Sequence, residues 1–185
     1  PSVALIKGYS TTAPVVVVGG GYDKCEDANV ANPACTGSKG GVVYVLDGAT
    51  GAVIRSFPTA RPVAADVAMV DINNDSHPDY AYAADTGGNI YRIDFIASPT
   101  TAIERTPAQW TSRKVAHTAG AGRKFLFAPA LLYADNKVYV ALGSGDREHP
   151  LETHYPFNDV VNRFYVYRDD LAADITALST DLDAV

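Results

Sequence analysis

The chain has 185 residues, 47% of them hydrophobic, and a formal net charge of -6. This acidic balance argues against nucleic acid as a partner, because phosphate binding depends on clustered Lys and Arg. The longest aliphatic run, Val15 to Val18, is far shorter than the roughly 20 residues that span a bilayer, so we expect no membrane span. The sequence begins at Pro1 without a basic region followed by an apolar stretch, so any signal peptide is expected to have been removed or to lie outside this sequence.

The first of three similar segments begins at Val15. It continues through predicted strands at Gly41 to Asp47 and at Ala52 to Phe57. The turn between these two strands, Asp47-Gly-Ala-Thr-Gly51, suits a tight hairpin that ends at a left-handed glycine. The segment therefore predicts a small antiparallel sheet.

Cys25 and Cys35 are the two cysteines of the chain and lie in a turn-rich stretch of the first segment. We predict a disulfide between them, which would stabilise the fold by roughly 2.5–3 kcal/mol in the chain-entropy model. Such a bond would indicate an oxidising compartment. Two free thiols are the alternative, and zinc is disfavoured because no second Cys pair or local His pair accompanies them.

The second segment repeats the pattern of the first. Its predicted strands are Ala65 to Asp71, Tyr80 to Asp85 and Ile90 to Phe95, with a Gly-Gly turn at Thr86 to Asn89. The strands again alternate with Asp and Gly breaks, and Ile90-Tyr-Arg-Ile-Asp94 matches Val43-Tyr-Val-Leu-Asp47 as an apolar-Tyr-x-apolar strand that closes on Asp. This repetition predicts a second sheet of the same kind.

The loop Asp71-Ile-Asn-Asn-Asp-Ser-His-Pro-Asp79 is the strongest functional signal in the chain. Alternate residues of a tight loop converge on one centre, and a hard divalent cation prefers six to eight oxygen ligands. The predicted calcium ligands are Asp71, Asn73, Asp75, the carbonyl of His77, and Asp79. The alternative is a polar turn in which Asp and Asn cap local backbone groups.

This loop is not an EF-hand. Ser76 stands at the sixth position, where an EF-hand has Gly, and Tyr82 stands at the twelfth, where it has Glu. If Ser76 adopts a positive φ, we expect a cost of about 1 kcal/mol. Asp79 would then have to complete the ligand shell.

The third segment has predicted strands at Ala128 to Tyr133, Lys137 to Asp146 and Arg163 to Asp169, with a long loop before the last one. The residues that follow, up to Val185, are rich in Asp and contain no Lys or Arg. They could form a helix or begin a further sheet.

Repeats of this kind are typical of β-propeller blades. We predict an all-β fold of about three four-stranded blades with long inserted loops. A closed propeller has four to eight blades, so these blades are expected to be part of a larger propeller. Residues 1–170 are assigned to the partial propeller domain, and residues 171–185 to an acidic tail or the start of a further blade.

The order of these motifs resembles the C-terminal propeller of the PilY family, also called PilC, the tip adhesins and assembly factors of bacterial type IV pili. The resemblance covers most of residues 14 to 170. Four stretches carry it: Val17 to Asp23, Val43 to Gly51, Asp66 to Asp94, and Leu142 to Pro150.

The resemblance implies a secreted, non-enzymatic protein at the cell surface and pilus tip, periplasmic before export. It implies calcium in loop 71–79, held by the five residues named above, with an effect on pilus extension and retraction or on adhesion. Expected partners are minor pilins or the pilus tip complex, and either the remainder of a larger propeller or other copies of the chain.

Two other classes of protein stay open. An integrin-like or lectin-like calcium propeller would also fit loop 71–79, although such proteins have one calcium loop per blade. A quinoprotein dehydrogenase-like enzyme is suggested by Val43 to Gly51. Those repeats usually place Trp shortly after the turn, whereas this chain has Arg55-Ser-Phe57 there and its sole Trp, Trp110, outside the repeats. We therefore predict that the chain is not an enzyme.

One further group of polar residues lies in the long loop of the third segment. His149, Glu152 and His154 are interpreted as part of a polar loop between strands, favoured by Pro150 and Pro156, rather than as a zinc site or an acid–base pair. Asp146, Arg147 and Glu148 are expected to brace that loop through local ion pairs.

Overall fold

A computed structural model describes residues 1–34, 39–119, 122–171 and 179–184. The strands are β1 (Ser2–Ala4), β2 (Val15–Gly19), β3 (Val42–Asp47), β4 (Val53–Pro58), β5 (Ala68–Val70), β6 (Tyr80–Ala84), β7 (Asn89–Asp94), β8 (Thr111–His117), β9 (Ala130–Ala134), β10 (Lys137–Gly143), β11 (Phe164–Asp169) and β12 (Thr180–Asp181). Short 3-10 helices occupy Lys24–Asp27 and Pro107–Gln109. Within these ranges, no helix approaches the length and apolarity that crossing a bilayer requires.

The strands form three sheets. Sheet I has the order β1-β2-β3-β4, sheet II the order β12-β8-β7-β6-β5, and sheet III the order β11-β10-β9. Neighbouring strands are antiparallel, except that β12 pairs parallel to β8. The all-β prediction is confirmed. The described residues do not close into a ring, so the propeller and its number of blades stay predictions.

Sheet II lies between the other two sheets, and both of its faces are buried. Every residue of β6 and β7 is buried. Ala81 and Ala83 belong to one apolar cluster, which includes strands of sheet I, and Tyr82 and Ala84 belong to a second, which includes strands of sheet III. Because successive strand residues point to opposite faces, the two clusters are the two covered faces of one sheet.

The outer faces of sheets I and III carry exposed apolar side chains. In sheet I, Val3 and Val53 are 67% and 58% exposed. In sheet III, Leu132, Phe164 and Val166 are 63%, 71% and 60% exposed. Side chains of this kind are suited to contact with a further sheet or another protein.

Strands β1 and β8 are not among the strands predicted from the sequence, and Trp110 lies immediately before β8. This tryptophan is fully buried, and its ring packs edge-on against Phe95 with the ring centroids 5.1 Å apart. Its Nε1–H donates to the carbonyl of Arg105 at 2.8 Å. The prediction of four strands per sheet holds for sheet I alone, since sheet II has five and sheet III has three among the described residues.

Both predicted hairpin turns are confirmed. Gly51 and Gly88 have φ values of +73° and +76°, a conformation that glycine adopts without steric cost. At the start of each turn a carboxylate, that of Asp47 or Asp85, accepts hydrogen bonds of 2.7–3.0 Å from backbone N–H groups of the same turn. The Asp and Gly positions thus fix each turn from its two ends.

The predicted disulfide involves the first 3-10 helix. Cys25 lies in this helix, and its N–H donates to Asp23 Oδ1 at 3.0 Å. Cys35 lies outside the described residues, so the Cys25–Cys35 disulfide stays a prediction.

A buried ion network joins sheet II to sheet III. Arg92 of β7, whose side chain is 1% exposed, donates from Nη1 to both carboxylate oxygens of Asp169 in β11 at 2.9 and 3.0 Å. Its Nε donates to Asp94 at 2.6 Å, and the hydroxyl of Tyr82 donates to Asp169 at 2.9 Å. The guanidinium therefore serves as the shared cation of two buried carboxylates from different sheets.

We expect Arg92→Met to lower the free energy of unfolding by about 3–5 kcal/mol, because Asp94 and Asp169 would remain buried without their cation. Urea denaturation at neutral pH measures this loss. Arg168→Met is the matched control, since the Arg168 side chain is 60% exposed and its Nε lies 3.4 Å from Asp170. Equal denaturation midpoints for the two variants would contradict the role assigned to Arg92.

Candidate functional site

The predicted calcium loop connects β5 to β6 in sheet II. At its base, the N–H of Asp79 donates to the carbonyl of Val70 at 2.9 Å. The carbonyl of Asp79 in turn accepts from the N–H of Phe95 at 3.0 Å. Both ends of the loop are thus fixed by backbone hydrogen bonds of the sheet, whereas the segment between them forms no part of a strand.

Asp71 organises the interior of this loop. Its Oδ1 accepts from the N–H groups of Asn73, Asn74 and Asp75 at 3.1, 2.7 and 3.3 Å. Its Oδ2 accepts from the N–H of Ser76 at 2.7 Å. Ser76 has a φ of +70° and Asn74 a φ of +60°, so the left-handed conformation considered for Ser76 is present. The backbone wraps around the Asp71 carboxylate as a result.

Asp79 provides a second, buried carboxylate. The residue is 2% exposed, and its Oδ2 accepts from the N–H of Ile72 at 2.8 Å. Burial raises the pKa of Asp79, and the nearby charges of Asp71 and Asp75 raise this pKa further. The three carboxylates therefore repel one another, which is the electrostatic setting in which a cation is stabilising.

Asp75 provides the third carboxylate and contacts a lysine from the connection between β1 and β2. Its Oδ2 accepts from Lys7 Nζ at 2.7 Å, and this hydrogen bond lowers the pKa of Asp75. Its Oδ1 accepts from the N–H of His77 at 3.0 Å. Asn73 Oδ1 accepts from the N–H of Asp75 at 2.9 Å. The loop thus already has one positive charge at its surface.

The five predicted ligand residues share this loop, and their chemistry fits a hard cation, since they offer three carboxylates, an amide oxygen and a backbone carbonyl. Their geometry is more open than a closed ligand shell. Within the described ranges, the carboxylates of the loop do not form a group whose ligand atoms all lie within 4.8 Å of one another. In this open arrangement the Asp75 carboxylate contacts Lys7.

A second group of candidate metal ligands lies elsewhere, at Asp146, Glu148 and His149. Their ligand atoms lie within 4.8 Å of one another, so the group could hold a metal ion. Lys124 already places a cation there, because its Nζ lies 3.1 Å from Asp146 Oδ2 and 3.0 Å from Glu148 Oε1. The same Nζ donates to the carbonyl of Glu26 at 2.8 Å. We call these four side chains, of residues 124, 146, 148 and 149, the Lys124 cluster.

His149 connects this cluster to the first 3-10 helix. Its Nδ1 lies 2.8 Å from Asp146 Oδ1, and its Nε2 lies 3.1 Å from the carbonyl oxygen of Asp27. The hydrogen bond with Asp146 raises the pKa of His149. Both partners are acceptors, so the imidazolium form, with two N–H donors, satisfies both contacts.

The sequence predicts that Asp146 and Glu148 form ion pairs, but it does not identify Lys124 as the residue that pairs with them. The expectation that Arg147 braces the loop through a local ion pair is wrong, because its guanidinium lies over the ring of Phe127 at 5.3 Å. The ion pairs that hold this loop are formed by Lys124, which is distant in sequence from Asp146 and Glu148 and belongs to no motif. Glu152 and His154, which lie near His149 in the sequence, do not belong to the group that could hold a metal ion.

Comparisons with known proteins bear on the fold. No protein-family model and no curated protein matches the chain. Among solved structures, the chain is similar to the C-terminal domain of Pseudomonas aeruginosa PilY1, with a TM-score of 0.66 and 21% sequence identity over 97% of this chain and 38% of that one. The chain therefore spans well under half of the solved domain. The resemblance drawn from the order of motifs is confirmed at the level of the fold.

We expect Lys124→Met to lower the free energy of unfolding by about 3–5 kcal/mol at neutral pH, because two adjacent carboxylates would lose their cation. Burial raises the pKa of Asp146, and loss of the ammonium would raise it further. A carboxyl with a higher pKa in the folded than in the unfolded protein binds its proton more tightly when folded. The loss should therefore shrink as the pH falls toward about 4.

Urea denaturation at both pH values measures this effect. Lys137→Met is the matched control, because the Lys137 side chain is 34% exposed and pairs with the exposed Asp170 at 3.0 Å. The free energy of unfolding of Lys137→Met should equal that of the wild type at either pH. A loss in Lys124→Met that is the same at both pH values would argue against uncompensated carboxylates as its cause.

Proposed function

We propose that the chain is a non-enzymatic, calcium-binding module of a type IV pilus tip or assembly protein. The observation that carries this proposal is the loop 71–79, whose three mutually repelling carboxylates lie on an anchored connection of the central sheet. The similarity in fold to the PilY1 C-terminal domain supports the pilus assignment. It also favours this function over an integrin-like or lectin-like propeller and over a quinoprotein dehydrogenase-like enzyme.

Calcium would act on the stability of the loop and of the sheet edge that bears it. Asp71, Asn73, Asp75, the carbonyl of His77, and Asp79 would hold the ion, which would neutralise the repulsion among the carboxylates. An ion that binds only the folded loop stabilises the fold by about 2.7 kcal/mol at a hundredfold excess over its dissociation constant. The calcium state would in this way tune pilus extension and retraction, or adhesion.

The proposed setting is the outside of the cell, with a periplasmic stage before export and a disulfide between Cys25 and Cys35. The proposed partners are minor pilins or the pilus tip complex, together with the remainder of a larger propeller or other copies of the chain. The exposed apolar faces of sheets I and III support this proposal, because each could be covered in the same way as the faces of sheet II.

We expect the isolated chain to associate with itself through these outer faces. Light scattering after size-exclusion chromatography should find species larger than the monomer, and Phe164→Thr combined with Val166→Thr should reduce them. Val30→Thr is the control, since Val30 is 50% exposed but lies outside the three sheets. A wild-type chain that stays a compact monomer with a cooperative melt would contradict the prediction.

We expect titration calorimetry to show one calcium site per chain, with a dissociation constant of about 10⁻⁴ to 10⁻³ M. Asp75→Ala should abolish this binding, because it removes a ligand at the centre of the loop. Magnesium should compete poorly, since its smaller octahedral shell tolerates such a loop less well.

Two further variants make the calcium test specific. Asp135→Ala removes an exposed carboxylate from the turn between β9 and β10 and should leave the titration unchanged. Glu148→Gln alters the Lys124 cluster and should also leave it unchanged. Binding that persists in Asp75→Ala but is lost in Glu148→Gln would transfer the metal to the Lys124 cluster and contradict the proposed site.

A further inference from the structure

We propose that Lys7 competes with the metal ion for the calcium loop and thereby sets the affinity of the loop. The Lys7 ammonium holds Asp75 when no ion is bound, and it has to leave Asp75 Oδ2 when an ion takes that oxygen. This inference rests on the proposed calcium function and assigns a regulatory residue to the same site.

The contact between Lys7 and Asp75 is short and joins two sheets. Lys7 lies between β1 and β2 of sheet I, and Asp75 lies between β5 and β6 of sheet II. The Nζ–Oδ2 distance is 2.7 Å, with the two side chains 42% and 28% exposed. The Lys7 ammonium is therefore the cation that pairs with the loop, at Asp75.

The competition follows from which oxygen Lys7 occupies. Asp75 Oδ1 already accepts from the N–H of His77 at 3.0 Å, and Oδ2 accepts from the Lys7 ammonium. A divalent cation binds carboxylate oxygens at about 2.3–2.6 Å. An ammonium on the same oxygen would then lie within a few Å of the ion, and the two positive charges would repel each other.

The other two carboxylates of the loop do not face this conflict in their described hydrogen bonds. Asp71 accepts from backbone N–H groups, and Asp79 Oδ2 accepts from the backbone N–H of Ile72. A backbone N–H is a dipole without net charge, and a carboxylate has further lone pairs for a metal ion. Exchange of the cation is thus expected at Asp75.

On the side of Lys7, only the side chain has to move in this exchange, because the backbone of its segment is held in place. Ile6 is fully buried, and the hydroxyl of Tyr9 donates to Asp47 Oδ2 at 2.5 Å. A Cβ atom on Gly8 would lie 1.9 Å from the carbonyl oxygen of Arg105, so the backbone here is closely packed. Calcium binding would release the contact between Lys7 and Asp75 while the segment around Lys7 keeps its place.

Titration of the full chain with calcium chloride tests the inference. Lys7→Met should raise the calcium affinity by about two- to fivefold, the range expected when a partly exposed ion pair no longer competes. Lys7→Arg keeps the positive charge and should bind calcium as the wild type does. Lys114→Met is the matched control, because it removes an exposed positive charge from β8 and changes the net charge equally.

Thermal unfolding gives a second measurement. In chelator, Lys7→Met should melt below the wild type, because the loop carboxylates lose their cation. In saturating calcium the difference should vanish or reverse.

The possible outcomes separate the inference from the function on which it rests. If the wild type binds calcium, an unchanged or weaker affinity in Lys7→Met, or an equal gain in Lys114→Met, overturns the inference and leaves the calcium site in place. If neither the wild type nor Lys7→Met binds calcium, the inference and the proposed function both fail. Binding that appears in Lys7→Met alone supports the competition.

Discussion

The fold depends on the burial of both faces of sheet II. Strands β6 and β7 have no exposed residue, so neither can exist without apolar cover from each side. Sheet I supplies this cover on one face and sheet III on the other. The same requirement explains why the two outer sheets have a buried and an exposed face, since described sheets lie on only one side of each. Stacking of sheets is therefore the principle of this structure, and any further element that covers sheet I or sheet III would extend it.

Buried charge fixes the position of sheet III, which apolar contact alone would leave free to slide. Apolar packing has little directional preference, whereas the Arg92 guanidinium has a planar set of donors that must meet Asp94 and Asp169 at the same time. Lys124 has a similar role at the loop after β10, where it binds two carboxylates and a backbone carbonyl of the first 3-10 helix. The Arg92 contacts thus align sheet III with sheet II, and the Lys124 contacts align the loop after β10 with the first 3-10 helix.

Features encoded within a few consecutive residues could be predicted from the sequence. The turns at Gly51 and Gly88 and the loop 71–79 belong to this class, because their hydrogen bonds run between neighbours in the chain. Strand β8 could not be recognised, since Thr-Ser-Arg-Lys-Val-Ala-His lacks a clear apolar pattern and becomes a strand through its pairing with β7. The contacts of Lys7 with Asp75 and of Lys124 with Asp146 were also hidden, because each joins residues far apart in sequence and neither lysine lies in a motif.

Loop 71–79 and the Lys124 cluster each bring several carboxylates close together. In each of them a lysine offsets the repulsion between these negative charges, but the two lysines differ in exposure. In the Lys124 cluster the cation is a lysine whose side chain is 2% exposed and is held by two carboxylates and a backbone carbonyl, so its departure would leave the buried Asp146 carboxylate without this cation. In loop 71–79 the cation is Lys7, which is 42% exposed and bonded to Asp75, so water can receive it at little cost. A site whose own cation can leave is suited to exchange with a metal ion, and a site whose cation is buried is suited to permanent structure. This difference in exposure favours loop 71–79 for the proposed calcium site and a structural role for the Lys124 cluster.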